Sequence, residues 1–301
     1  MSTPAPGSQI GVPDAEIALD APLVTALLAA QHPDLAHLEV REVASGWDNV
    51  MFRLGPDMAV RLPRRKIAVD LLQNEQRWLP TLAPHLPLPV PAPLRQGSAS
   101  PLYPWPWSIL PWMAGGPADL DPPRADQALV WVDFLRALHR PAPPDAPHNT
   151  YRGVPLATRA DYLDERLERV ARTTDLITPR ICKVWAAALT TPLDLAPTWL
   201  HGDPHARNVL TKDGAFTAVI DWGDMCAGDA ATDLASLWML LPDTVARHAA
   251  MAAYDASPAT WARAAGWAVY YGVVLADSGA VNDPRLLAMG RKTLARVEAG
   301  D

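Results

Sequence analysis

The residues best suited to chemistry are His201-Gly202-Asp203-Pro204-His205-Ala206-Arg207-Asn208, followed after twelve intervening residues by Asp221-Trp222-Gly223. Each acid stands at the end of a short apolar run. Phosphoryl transfer asks for little covalent help from a protein. It needs a carboxylate to orient and deprotonate the attacking hydroxyl, oxygen ligands for magnesium, and cations on the phosphates. Asp203, Asn208 and Asp221 meet the first two needs. Hard oxygen donors suit magnesium, which usually takes only one or two protein ligands. The same stretch holds an H-x-D-x-H run, His201, Asp203 and His205, of the kind that binds zinc or iron in hydrolases. That chemistry wants further histidine ligands, and the remaining histidines form no ligand-like pair. A lone Asp at a strand end is more often a turn or cap residue, so it is the joint spacing that carries the argument.

For these side chains to meet, the chain around them must form short strands ending in loops. Thr198 to Leu200, Asn208 to Leu210 and Phe216 to Ile220 read as buried strands. Apolar periodicity and its breakers predict helices over Arg124–His139, Thr158–Thr173, Pro179–Thr190, Ala231–Leu240, Thr244–Asp255, Pro258–Asp277 and Pro284–Glu298. Upstream, Leu38 to Leu62 alternates apolar and polar residues, with breaks at Ser45-Gly46-Trp47-Asp48-Asn49 and Gly55-Pro56-Asp57. That pattern gives three antiparallel strands. Ile67 to Leu82 has helical spacing, the proline-rich Pro84 to Pro93 is extended, and Trp107 to Trp112 is a strand with few polar groups. The chain turns mainly helical after Met113-Ala114-Gly115-Gly116, which places a boundary there. Residues 1–15 read as a loose tail.

Composition limits the function classes. A chain of 301 residues with 49% hydrophobic and 20% charged residues can bury two cores. Cys182 and Cys226 are too few for a disulfide framework and lack zinc spacing, which points to free thiols in a reducing, cytoplasmic setting. No signal peptide and no membrane span are apparent. A net charge of −7 argues against nucleic acid as partner and favours a neutral or cationic small molecule.

The segments HGDPHARNVL and VIDWGDMCAGDAATDLA, within Trp199 to Leu237, resemble the aminoglycoside phosphotransferase family, which shares the bilobal protein-kinase fold. The resemblance implies an α+β fold with a small antiparallel sheet plus helix in an N-terminal nucleotide-binding lobe, residues 16–112. A hinge near 109–113 and a larger, mainly helical catalytic and substrate-binding lobe, residues 113–301, complete it. It implies that ATP or GTP with Mg2+ serves as phosphoryl donor and that a small molecule's hydroxyl accepts. Asp203 is then the base, Asn208 and Asp221 hold magnesium, Asp233 braces the loop and His201 orders it. Pro204 and Arg207 depart from the Leu and Gly that the family often has there. A non-catalytic pseudokinase usually lacks the base or the metal-binding Asp, and this chain keeps both.

In the N-terminal lobe, Ser45 and Asn49 lie in the turn where a kinase carries its glycine-rich loop. Arg61 stands on the third strand where the family usually has Lys, and Glu75 on the following helix is its expected partner. Arg keeps the charge but alters reach and geometry. Backbone groups near Leu110 and Trp112 are expected to meet the purine. From Gly214 to Ala246 there are five acids and no Lys or Arg, a negative field that suits an aminocyclitol or polyamine. Asp224 and Asp229, with His205, Tyr271 and Asp277, are the expected substrate contacts. The family's macrolide branch tends to put His at the position of Asn208, so Asn208 favours an aminoglycoside or another small alcohol.

Overall fold

The computed structural model describes residues 14–46 and 48–300; the expected tail therefore falls almost wholly outside the described residues, as does Trp47. The chain divides into two compact units, Met1–Pro84 with Val90–Met113, and His85–Pro89 with Ala114–Asp301.

The first unit is an antiparallel sheet of β1 (Val40–Ser45), β2 (Asn49–Leu54), β3 (Met58–Pro63), β4 (Arg95–Gly97) and β5 (Trp107–Pro111), in the order β1-β2-β3-β5-β4. The alternation of β2 sends Val50, Phe52 and Leu54 to one face, where they join Val60, Leu62 and Ile109. That face is covered by α1 (Ala21–Gln31), whose Val24, Leu27 and Leu28 are fully buried. Each such side chain contributes about 1.5–3 kcal/mol when removed from water. Asp20 caps α1 by accepting from the Leu23 N–H at 2.9 Å, and Pro22 stands in its first turn. This helix is absent from the sequence reading, although its cap, its proline and its i, i+3, i+4 apolar spacing are all present.

The opposite face carries Arg61 and Ser108, paired across β3 and β5, and meets α2 (Ala68–Leu82). Pro80 lies inside α2 and removes the N–H that would bond to Gln76 four residues back. The Gln76 carbonyl accepts instead from Gln96 Nε2 at 3.2 Å. The proline-rich segment after α2 begins as a 3-10 turn over Ala83–His85, not as extended chain.

The second unit holds a small sheet of β6 (Gly116–Pro117), β8 (Val209–Lys212) and β9 (Ala215–Val219), and a two-stranded ladder of β7 (Thr198–Leu200) with β10 (Cys226–Gly228). Around them lie α3 (Gln127–Leu138), α4 (Ala160–Thr173), α5 (Pro179–Thr190), α6 (Ala231–Leu234), α7 (Ser236–Leu240), α8 (Thr244–Tyr254), α9 (Pro258–Asn282) and α10 (Pro284–Ala299). The single helix expected over 231–240 is two, divided at Ala235. The longest, α9, is capped by Ser257, which accepts from the Thr260 N–H at 3.0 Å. It runs five residues past its expected end, through Ser278-Gly279, where the glycine lets α10 pack closely, and stops before Asp283-Pro284. Much of α9 is buried, so it forms the spine against which α5, α4 and α10 pack. No helix among the described residues is long and apolar enough to cross a membrane.

Candidate active site

The loop after β7 turns sharply at Gly202, whose φ of +87° suits glycine. A Cβ there would come within 2.5 Å of the Asp224 carbonyl oxygen, so the close approach also excludes a side chain. Asp233 at the start of α6 is fully buried, and its carboxylate accepts from the His201 N–H at 2.7 Å and the Gly202 N–H at 2.9 Å. His201 Nδ1 accepts from the Asp203 N–H at 3.2 Å, while Nε2 lies 2.9 Å from the Ile220 carbonyl and donates to it. That pattern is the neutral tautomer protonated on Nε2. With both ring nitrogens engaged and its edge against Trp222 at 4.8 Å, His201 has no lone pair left for a metal. Among the described residues no group of three His, Cys, Asp or Glu is placed to hold one. The zinc-hydrolase alternative loses its ligand set.

Asn208 ties the two loops together. Its Nδ2 donates to the Asp203 carbonyl at 2.9 Å, and its own carbonyl accepts from the Ile220 N–H at 2.8 Å. The amide is thereby oriented with Oδ1 as the group available to a cation. The next residue along, Asp221, is exposed and has a φ of +61°, in the left-handed region that non-glycine residues rarely adopt. Asp is among the few side chains that tolerate it, at a cost of about 1–2 kcal/mol. Two oxygen donors on adjoining, hydrogen-bonded segments, one an amide and one a carboxylate, fit the needs of magnesium, which keeps much of its own water and phosphate ligation.

The Asp203 carboxylate is flanked by two basic side chains. His205 Nε2 lies 3.6 Å from Oδ2, and Arg152 Nη2 lies 3.5 Å from Oδ1. His205 Nδ1 accepts from the Arg207 N–H at 3.3 Å, which turns Nε2 toward Asp203. Arg207 forms a bidentate pair with Asp283 at 2.8 and 2.7 Å, anchoring the loop to the α9–α10 junction. Arg152 also lies 3.5 Å from Asp224 Oδ2, with its guanidinium over the Tyr271 ring at 5.2 Å. Burial works against its charge, but Tyr271, Asp224 and Asp203 outweigh that and hold its pKa well above the ordinary arginine value. The sequence reading passed over Arg152; its only local signal is a charged residue between two turn formers, Asn149 and Gly153.

The four other expected substrate contacts need correction or redefinition. Asp229 is buried, forms a bidentate pair with Arg263 at 2.7 and 3.0 Å, and accepts from the Ala231 N–H at 3.2 Å. Asp277 is held by Arg166 and Arg169, which joins α9 to α4. Against the burial that raises its pKa, these arginines keep it below the usual carboxylate range. Tyr271 is buried and donates its hydroxyl to the Gly202 carbonyl at 2.5 Å, so it supports the loop from behind. Burial pushes that hydroxyl's pKa well up. Asp224 keeps partial exposure but accepts from Asn149 Nδ2 at 2.8 Å besides its contact with Arg152. Of the five acids in residues 214–246, Asp229 is matched by Arg263 and Asp224 is approached by Arg152, both arginines outside that window.

In the first unit, Arg61 and Glu75 are brought together: Nη1 lies 2.5 Å from Oε2, and both side chains are buried. With the Asn49 amide turned so that its Oδ1 accepts, it takes hydrogen bonds from Arg61 Nη2 at 2.9 Å and Nε at 3.2 Å. Ser45 ends β1, and its side chain lies outside the described residues. The expected backbone contacts at Leu110 and Trp112 also need correction. The Trp112 N–H donates to the Asp57 carbonyl at 2.8 Å, and Leu110 is paired with Ala59 on β3. By the alternation of an antiparallel ladder, the Pro111 carbonyl at the end of β5 faces away from β3. The Trp112 ring stacks on Arg53 at 3.9 Å.

A family model described as phosphotransferase enzyme family matches residues 39–267. No curated protein matches the chain in sequence. Solved structures do match in fold. The GDP complex of wild-type aminoglycoside 2'-phosphotransferase-IIIa is 18% identical at a TM-score of 0.67, over 93% of this chain and 99% of its own. The ADP-bound aminoglycoside phosphotransferase APH(2'')-Ib is 17% identical at 0.60, over 92% and 98%. The macrolide 2'-phosphotransferase MphH from Brachybacterium faecium, as apoenzyme, is 23% identical at 0.57, over 89% and 97%. With a family match over residues 39–267, which takes in the whole five-stranded sheet and most of the helical unit, and with a fold shared with these kinase-like structures, the chain belongs to the phosphotransferase enzyme family.

Proposed function

We propose that the protein transfers the γ-phosphoryl group of Mg2+-bound ATP or GTP to a hydroxyl of a small molecule, with an aminoglycoside or related antibiotic as the acceptor class. The observation that supports this best is the linkage of Asp203, Asn208 and Ile220-Asp221 through the Asn208 side chain and carbonyl. In this reading the Asp203 carboxylate takes the proton of the acceptor hydroxyl as its oxygen attacks phosphorus. The bond from phosphorus to the bridging oxygen breaks, and its electron pair leaves on the nucleoside diphosphate. Asn208 Oδ1 and Asp221 would hold magnesium, which neutralises charge on the phosphate oxygens when bound. Arg61, fixed by Glu75 and Asn49, supplies the cation for the α- and β-phosphates. The purine is read by the Pro111 carbonyl. Nucleotide as donor is supported by the GDP and ADP present in two of the similar structures.

A narrower acceptor is favoured by one feature. Asp229 and Asp277 are both matched by arginines, and Arg152 neighbours Asp203 and Asp224. That balance suits a neutral or singly charged alcohol, such as a macrolide-type or amino-alcohol acceptor, as a second reading. A coupled diphosphate-release assay against aminoglycosides, macrolides, peptide antibiotics and simple amino alcohols, run with ATP and with GTP, separates the two. Stimulation by polyamine-like aminoglycosides alone supports the first. Stimulation only by weakly charged alcohols supports the second, and no stimulation by any of them overturns both.

Asp221→Ala is expected to weaken binding of the magnesium–nucleotide complex by at least roughly tenfold, about 1.4 kcal/mol, while leaving metal-free ADP binding unchanged. Calorimetry in the presence and absence of Mg2+ measures both. Equal Mg-ATP affinity in variant and parent would remove Asp221 from the metal site.

A further inference from the structure

Arg152 has no task in the assignments above, yet it is the strongly charged group closest to the Asp203 carboxylate in position and chemistry. An interior guanidinium ordinarily has hydrogen bonds for most of its five N–H donors. Here its approaches to Asp203 and Asp224 are both at 3.5 Å, and neither is a hydrogen bond. Nε is buried and makes none at all.

The main chain around Arg152 is nonetheless fixed. Its N–H donates to Asn149 Oδ1 at 3.1 Å, its carbonyl accepts from the Cys226 thiol at 3.7 Å, and the Gly153 carbonyl accepts from the Asp229 N–H at 2.9 Å. Gly153 has a φ of +67°, and a Cβ there would come within 2.7 Å of Leu200 and 2.9 Å of Gly228. The glycine lets this segment press against β7 and β10, which flank the loops of Asp203 and Asp224. The result is a rigidly based cation, backed by an aromatic face, whose donors the protein does not fill.

We propose that Arg152 binds the phosphoryl group during its transfer. The inference rests on the phosphotransferase reading above and adds a residue to it. Asp203 must reach the proton of the hydroxyl that attacks phosphorus, so the phosphoryl oxygens pass close to two carboxylates, Asp203 and Asp224, that repel them. Arg152 lies within ion-pair distance of both. Its planar donors suit the equatorial oxygens over which charge spreads in the transition state. Arg152 forms no covalent bond and transfers no proton: the acceptor oxygen–phosphorus bond forms, the bridging bond breaks, and the proton passes to Asp203 as before.

The test uses the full chain and a mimic of the transferring group. Binding of Mg-ADP, and of Mg-GDP, is measured by calorimetry with and without aluminium fluoride, for the parent, Arg152→Ala and Arg152→Lys. The parent is expected to bind the fluoride complex more tightly than the diphosphate alone. Arg152→Ala should bind the diphosphate within about twofold of the parent and lose roughly 10- to 100-fold of the added tightening, the scale of a hydrogen bond to a charged group. Arg152→Lys keeps a charge between the two carboxylates and should recover only part of that loss, because an ammonium lacks the fork geometry. If Arg152→Ala does not fold, the lysine variant carries the test by the same comparison. Full tightening in either variant overturns the inference and leaves the phosphotransferase reading standing. A parent that binds neither diphosphate overturns both.

Discussion

Replacing Asp203 with alanine is expected to lower turnover by roughly 10² to 10⁴, about 3–5 kcal/mol in barrier, while nucleotide binding and folding are kept. The separation follows from how the residue is held. Its structural work is done by the main chain: the N–H donates to His201 Nδ1, and the carbonyl accepts from Asn208 Nδ2 and the His205 N–H. Those bonds survive truncation of the side chain. The carboxylate itself is partly exposed and makes only the long contacts to Arg152 and His205. Removing it therefore leaves the loop in place and takes away the proposed proton acceptor. Diphosphate release with the acceptor found in the screen gives the rate, Mg-ATP calorimetry gives the affinity, and thermal unfolding within about 3 °C of the parent shows the fold is intact. Near-normal turnover would exclude Asp203 as the base.

The parts of this site that were legible in sequence are those whose partners lie close along the chain. Asp203 and Asn208 lie just before one β-hairpin, β8–β9, and Asp221 just after it, so the pairing of the two strands brings the ends of their flanking loops together. Arg61 and Glu75 are 14 residues apart, on consecutive elements facing one another. The charge balance of the acceptor side was not legible, because it is set by arginines far away in sequence. Arg263 lies 34 residues from Asp229, and Arg166 lies 111 from Asp277. The window of five acids holds no cation in sequence, yet folding brings Arg263 to Asp229 and Arg152 near Asp224. That the Trp112 N–H is taken up by the Asp57 carbonyl was not legible, since which alternate groups of a strand point outward depends on its pairing partner. The three-residue strands β4 and β10 are too short to show any periodicity, whereas α1 carried its signals in full.

The opposite separation is expected at Asp233, where truncation should damage the fold first. Its carboxylate is wholly inside the protein and accepts from two consecutive backbone N–H groups, those of His201 and Gly202, with His139 Nε2 a further 3.4 Å away. In Asp233→Ala both amides are left without their acceptor in a place water does not reach. Each orphaned donor costs about 1–3 kcal/mol, so a loss of roughly 3–5 kcal/mol is expected, near the largest effects of single substitutions. That corresponds to a fall of about 5–8 °C in Tm for a chain of this size. Asp233→Asn retains one oxygen for one of the two amides and presents an N–H group to the other, so it should recover less than half of the stability. Turnover should fall in both variants, because the Asp233 carboxylate holds the main chain of His201 and Gly202, from which the Asp203 side chain projects. Differential scanning calorimetry on the parent and both variants decides the matter: a Tm unchanged within about 2 °C in Asp233→Ala would mean that water or a shifted loop replaces the lost acceptor, and that the position of Asp203 is set by Tyr271 and Arg207 instead.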